Sequence, residues 1–319
     1  TVIWPAKGTF RISRSALTEI PVVQVTLFED GVRGRGECRP YARYSETPES
    51  VTVQIEALRT EIECGLSIPD LQSLLPAGAA RNAVDCALWD LTAKKTGAPV
   101  WELLGTPAPK PRTTAFTLSV DTPSQMADAA KNAARYPFLK MKVGADDPTL
   151  CIDAVLAARP DAKLVIDANE ALNVKELAAL QDALKSTRTI LIEQPLPAGS
   201  GETFMPKRLP LICADEALHT SADLDALWEA GYRSVNVKLD KCGGLTEGLV
   251  LMKAAKDKGF IIMAGCMVGS SLAMAPMMML ESFADYIDLD GPLLLAKDIE
   301  NGLRFEGPTI YPPEKSLWG

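Results

Sequence analysis

From about residue 113 onward, short β-branched and apolar runs alternate with longer Ala/Leu-rich stretches at helical spacing. The runs fall at 114–120, 138–144, 163–169, 189–195, 210–216, 234–240, 260–265 and 285–291. Each but the last is followed by a stretch that reads as a helix. The tail from Pro292 is short and Gly/Pro-punctuated, and offers no eighth helix. Eight such units predict a parallel sheet closed into a (β/α) barrel. Residues 1–112 follow another pattern. Residues 22–38 alternate as an antiparallel hairpin, with turns expected at Glu29-Asp30-Gly31 and around Gly34. Helices are expected over 48–64 and 78–97, the second carrying Ala79, Ala83, Val84, Ala87, Leu88 and Leu91 at helical spacing. The expected organisation is an α+β domain over 1–112, a Pro107–Pro111 linker and a barrel over 113–299. Residues 300–319 are expected to return to the first domain.

Charged residues stand at the C-terminal ends of the barrel runs. Lys142, Asp167, Glu193, Asp215 and Lys238 are separated by 25, 26, 22 and 23 residues, one strand–helix unit each. Barrel active sites gather at that face, so the five groups should converge. A single strand-end charge could be a solvated cap; five in succession, in complementary types, argue for a site. Asp167, Glu193 and Asp215 fall on neighbouring strands three, four and five. Three carboxylates with no His or Cys partner suit one hard divalent ion, Mg²⁺, and without a cation they would repel one another.

Period-two geometry puts Lys140 and Lys142 on one face of strand two, with Met141 pointing away. Lys238, on strand six, lies across the barrel. Like-charge repulsion from Lys140 is expected to favour a neutral, proton-accepting amine on its neighbour. One lysine can then remove a proton α to a metal-held carboxylate, while the opposite lysine returns one to the other face. That is a 1,1-proton transfer. Asp288 and Asp290 share a face at the end of strand eight, where two readings stand: a polar strand-to-Gly-Pro turn, or a receptor for a substrate cation. The second, with a carboxylate at the metal, describes a dipeptide.

Composition removes other classes. A net charge of −8 with no long basic run argues against a nucleic-acid partner. Phe260–Leu280 carries no charge over 21 residues, but Gly265, Gly269, Ser270, Ser271 and Pro276 divide it into strand, loop and helix, so no membrane span is expected. Seven cysteines without a C-x-x-C pair suggest reduced thiols and the cytoplasm, and the charged first twenty residues do not read as a signal peptide. Glycines 31–36 join two strands and so are no phosphate loop. His219 is assigned a structural or supporting role, and Met277–Met279 to the core. The pattern does not count subunits; a homo-oligomer is compatible with it.

Several motifs together resemble the dipeptide epimerases of the enolase superfamily, within its muconate-lactonising subgroup, across essentially the whole chain. The motifs are Lys140-Met141-Lys142, Val165–Asn169, Ile192–Pro195, Ala214-Asp215-Glu216, Val237–Lys241 with Gly243-Gly244, Gly265-Cys266-Met267 and Asp288–Pro292. The resemblance implies a modified (β/α)₇β TIM-type barrel under an N-terminal capping domain, one Mg²⁺ per subunit, and lysine acid/base chemistry on an ene-diolate. It further implies that Asp288 and Asp290 hold the dipeptide ammonium and that Cys266 and Met267 line the substrate. Asn169, Glu216 and Asp240 would support the groups around them. Residues 12–15 and 36–41 are similar to capping loops of the L-Ala-D/L-Glu epimerase subset, which acts in cell-wall peptide recycling. Arg14 is placed there either against the substrate's glutamate side chain or in solvent. The alternatives are an N-acylamino acid racemase or o-succinylbenzoate synthase, a cycloisomerase, and a non-catalytic barrel that binds a small acid.

Overall fold

Three antiparallel strands open the chain: β1 (Val2–Ile12), β2 (Ser15–Glu29) and β3 (Val32–Cys38). The computed structural model describes residues 1–12, 15–144, 148–205 and 208–319. The turn at Asp30-Gly31 is present, but none forms at Gly34, which pairs with Leu27 inside β3. The reason is packing. A Cβ on Gly34 or Gly36 would strike the backbone carbonyls of Ala87 and Ala83, so the glycines let β3 lie directly on a helix. That helix is α4 (Ala79–Thr96), which follows α1 (Pro48–Glu56), α2 (Arg59–Glu63) and α3 (Ile68–Leu74). The helix expected over 48–64 is thus divided, and Leu58 at the break is buried in the core shared by β2, β3 and α4. A short α5 (Val100–Leu103) and β4 (Arg112–Thr113) lead into the second region.

Eight parallel strands follow in sequential order: β5 (Phe116–Leu118), β6 (Phe138–Lys142), β7 (Lys163–Asp167), β8 (Thr189–Glu193), β9 (Leu211–Ala214), β10 (Ser234–Val237), β11 (Ile261–Gly265) and β12 (Tyr286–Asp288). A parallel bridge between Thr114 and Ile287 joins the first strand to the last, with Ala115 N donating to Ile287 O at 2.8 Å, and the sheet becomes a barrel. Six of the eight strands are followed by helices: α6 (Pro123–Asn132), α7 (Pro148–Ala158), α8 (Val174–Leu184), α9 (Leu224–Glu229), the pair α10 (Leu239–Cys242) and α11 (Leu245–Lys258), and α12 (Ser271–Met278). No helix forms among the described residues between β8 and β9, against the sequence expectation. Pro195, Pro197, Gly199 and Gly201 deny that segment helical hydrogen bonds and φ angles. The missing eighth helix is also missing in the fold, where β12 runs into a 3₁₀ turn at Gly291–Leu294. The uncharged stretch 260–280 is β11, a loop and α12, and no helix among the described residues is long and apolar enough to cross a membrane.

Two apolar layers hold the barrel. Outward-facing residues such as Met141, Ile166, Ile192 and Val235 pack under the helices, where Met277, Met278 and Met279 also lie. Inside, Ala115, Phe138, Val165, Leu191, Cys213 and Met263 form a dry floor. The last strands, β13 (Phe305–Glu306) and β14 (Thr309–Ile310), pair with each other and β14 with β4, and the chain end then returns to β3 and α4. There the Trp318 indole donates to the carbonyls of Arg35 and Cys86 at 3.0 and 3.1 Å.

Candidate active site

One step above the floor, the inward positions change from apolar to charged. β6 carries Lys140 and Lys142, with Lys142 in register with Asp167 and Asp167 with Glu193. Asp215 follows β9 directly and Lys238 follows β10. All six are buried, and Asp167, Glu193 and Asp215 bring carboxylate oxygens within 4.8 Å of one another. Lys142 Nζ lies 2.6 Å from Asp167 Oδ2, and Lys238 Nζ lies 2.6 Å from Asp215 Oδ2. The two lysines therefore reach the carboxylate cluster from strands that stand opposite each other in the ring of eight.

Lys140 plays another part. Its ammonium lies 2.9 Å from both Glu193 Oε2 and Asp288 Oδ2 and 3.3 Å from Asp167 Oδ2. Burial works to lower its pKa, but Asp288, Glu193 and Asp167 outweigh that and hold it well above the usual lysine value. Its charge is thus paired with carboxylates from three other strands. Lys142 instead donates to Asp167 and, at 3.2 Å, to Asn169 Oδ1.

The carboxylates differ among themselves. Burial raises Glu193, and the charge of Asp167 adds to the effect. Burial opposes ionisation of Asp167 too, but Lys142 and Lys140 overcome it and lower its pKa. Asp215 is likewise held well below the usual range by Lys238 and Lys241 against burial. Glu193 Oε2 has Lys140 within ion-pair distance yet no hydrogen bond of good geometry among the described residues. A buried all-oxygen donor set, one member of which resists ionising, fits a hard divalent cation. Asp167, Glu193 and Asp215 would hold it.

Above this cluster opens a cleft with about 690 Å³ of empty volume, counting the part open to solvent. Its wall includes Lys140, Lys142, Lys238, Asn169, Glu216, Cys266, Met267, Asp288 and Asp290. Asp290 heads the 3₁₀ turn at Gly291–Leu294, as the turn reading expects, yet both side chains are buried, each only 3% exposed. Asp290 Oδ2 accepts from Thr117 N at 2.6 Å, and Asp288 Oδ1 is buried with no hydrogen bond from the described residues. Burial and then the charge of Asp288 raise the Asp290 pKa. Asn169 links the two sides, donating to Glu216 Oε1 at 3.3 Å. Asp240 stands away from the carboxylate cluster and ties β3 to the barrel, accepting from Arg39 N at 2.9 Å and Asn82 Nδ2 at 3.0 Å. His219 packs edge-on to Tyr44, with ring centroids 4.9 Å apart. Arg14 lies outside the described residues.

Other participants had weaker signals. Gln194, inside the Ile192–Pro195 motif, takes φ 34° and accepts from the backbone of Asp215 and Ala217, which sets the position of the strand-five carboxylate. Asn236 donates to Glu193 Oε1 at 2.8 Å and occupies the space that a Cβ on Gly265 would fill. Lys241 holds Asp215 Oδ1 at 2.6 Å. Arg39, Tyr41 and Tyr44 reach the cleft from the N-terminal region, which strand periodicity cannot reveal.

Residues 1–105 match the mandelate racemase/muconate lactonizing enzyme N-terminal domain, and residues 125–316 match the enolase C-terminal domain-like family. The chain is 42% identical over 311 residues to L-Ala-D/L-Glu epimerase of Escherichia coli, covering 97% of each chain. It is also 42% identical over 304 residues to N-acetyl-D-glutamate racemase of a Pseudoalteromonas species, covering 93% of this chain and 95% of the other. Among solved structures, an enolase-family member from Agrobacterium tumefaciens with homology to dipeptide epimerases was crystallised with sodium and L-Ala-L-Glu. It superposes with a TM-score of 0.95 at 45% identity, covering 100% of this chain and 98% of the other.

Proposed function

The chain belongs to the mandelate racemase/muconate lactonizing enzyme family of the enolase superfamily, and on that footing we propose that it is a Mg²⁺-dependent dipeptide epimerase. The substrate is L-Ala-D/L-Glu, and the inverted centre is the α-carbon of its C-terminal residue. When bound, Mg²⁺ acts as a Lewis acid that stabilises the negative charge developing on the substrate carboxylate. Lys142 and Lys238 serve opposite faces of that carbon: one amine takes the α-proton, and the other, as ammonium, delivers a proton from the far side. Lys140 keeps Glu193 and Asp288 in place between them. Asp288 and Asp290 receive the dipeptide ammonium. Residues 1–112, with 300–319, cap the barrel of 113–299.

The observation that carries this reading is the pair of lysines on opposite walls, each 2.6 Å from a carboxylate of the same cluster. Asp288 Oδ1 favours a dipeptide over an N-acylamino acid. It is a buried anionic acceptor without a donor among the described residues, and an amide-capped substrate has no ammonium to offer it. Seven free thiols suit a reducing compartment, which supports a part in murein peptide recycling in the cytoplasm. The test is incubation with L-Ala-L-Glu and Mg²⁺ in D₂O. Deuterium at the glutamate α-carbon together with L-Ala-D-Glu is expected; exchange in N-acetylglutamate alone would move the assignment to the racemase.

A further inference from the structure

Helix α4 belongs to the N-terminal region, yet its polar face is bonded to one side of the barrel. Arg81, Asp85 and Trp89 recur every four residues and so share a face, with Asn82 alongside. Among the described residues, every side-chain hydrogen bond from α4 into the barrel falls between Asp240 and Thr246. Arg81 donates to the carbonyls of Cys242 and Gly243 at 2.6 and 3.1 Å, and Asn82 donates to Asp240 Oδ1 at 3.0 Å. Asp85 accepts from the backbone and the hydroxyl of Thr246, whose oxygen accepts from the Trp89 indole at 2.9 Å. Gly243 and Gly244 make room for this contact, since a Cβ on either would run into the Arg81 guanidinium or the Asp85 carboxylate.

Arg81 is buried and forms no ion pair among the described residues. Its remaining bonds also go to neutral oxygens, the carbonyls of Gln72 and Leu75. A cation withdrawn from water in this way is costly. Its rigid fork of donors, however, is well suited to hold two successive carbonyls at fixed positions. Those carbonyls end α10, which begins at Lys238. Lys241 N and Cys242 N both donate to the Lys238 carbonyl at 3.1 Å, so a single turn joins this lysine to the atoms that Arg81 holds. The same turn carries Lys241, which donates to Asp215 Oδ1 at 2.6 Å, while Lys238 reaches Asp215 Oδ2. Lys142 is mounted differently. It lies within β6, between β5 and β7, and bonds to Asp167 and Asn169.

We infer that Arg81 is a positioning residue for Lys238: acting through α10, it sets the reach of that one amine to the substrate's α-carbon. The N-terminal region thereby tunes one face of the reaction, and the strand that carries Lys142 sets the other. This rests on the two-lysine reading of the site. A displacement of about 1 Å at a reacting group is enough to cost about 100-fold in rate.

The test is α-deuterium exchange in D₂O at saturating Mg²⁺, from L-Ala-L-Glu and L-Ala-D-Glu separately. Lys238→Ala is the reference, because the epimer whose exchange it loses is the one that Lys238 serves. Arg81→Met should slow exchange from that epimer by about 100-fold and leave the other within about threefold. Arg81→Lys, with one ammonium for two carbonyls, should recover part of the loss. Asn82→Ala cuts one bond to the same turn; it should show the same preference at smaller size, and it serves if Arg81→Met does not fold. A purely structural staple would instead lower the melting temperature and slow both epimers alike. Equal slowing of both epimers, or of neither, in Arg81→Met and Asn82→Ala would overturn the role of Arg81 and leave the reaction standing. A wild type that exchanges neither epimer would defeat the reaction itself, and with it any part for Arg81 in it.

Discussion

The floor and the mouth of the barrel are built from the same strands, a few residues apart, and do opposite things. At the floor, Phe138, Val165, Leu191 and Met263 meet without a polar atom between their side chains. At the mouth, the next inward positions bring Lys140, Asp167, Glu193 and Asp288 together at hydrogen-bonding distances. Burial stabilises the first layer and penalises the second, where charges persist because each is matched by another. The contrast shows how stability and chemistry are divided along one strand: the dry layer holds the ring closed, and the ring then holds ionised groups where water would otherwise separate them.

The largest effect should come from unbalancing the mouth. Glu193→Ala removes one ligand and the partner of Lys140, and activity should fall by about 10³-fold or more. Added Mg²⁺ should raise the melting temperature of the wild type by several degrees, about 2.7 kcal/mol at a hundred times the dissociation constant, and leave the variant unmoved. An equal shift in both would remove Glu193 from the cation site. The floor should answer the other way. Leu191→Ala leaves a cavity and should cost about 2–5 kcal/mol of stability, read by denaturant unfolding, with kcat per folded molecule little changed.

The seam between the N-terminal region and the barrel should give a smaller, pH-dependent effect. Burial raises the Asp240 pKa to about 7 in the folded chain, above its ordinary value of 3.8. Between those values the unfolded chain has lost the proton and the folded chain keeps it, so stability falls as pH rises and levels off above about 7. Asn at this position can still accept from Arg39 and Asn82. The melting temperature of Asp240→Asn relative to wild type should therefore climb between pH 4 and pH 7, by an amount corresponding to at most a few kcal/mol. A flat difference would mean that Asp240 is ionised in both states.

The barrel was legible in the sequence because two signals agree at most strands: an apolar run, and a charge at its C-terminal end, five of them at a spacing of one strand–helix unit. The same period-two logic separated Lys140 and Lys142 from Met141, and the structure places them accordingly. Three things were not legible this way. Gly34 reads locally as a turn, and only the approach of α4 explains its place in a strand. The segment after β8 lacks a helix, and there Pro195, Pro197, Gly199 and Gly201 were a readable warning. Arg39, Tyr41 and Tyr44 reach the cleft through docking of one region on the other, a contact between residues about 200 apart in sequence. Such a contact leaves no period behind. The pairing of Lys140 with three acids also depends on distances across the barrel, which adjacency within one strand does not reveal.

The central claim is that Lys142 and Lys238 act on opposite faces of one carbon. It is tested most directly by following α-proton exchange in D₂O, by NMR, for Lys142→Ala and Lys238→Ala with L-Ala-L-Glu and L-Ala-D-Glu separately. Each variant should lose epimerisation while retaining exchange from one epimer only, and the retained epimer should differ between the two. Exchange from the same epimer in both variants, or epimerisation surviving in either, would contradict the account.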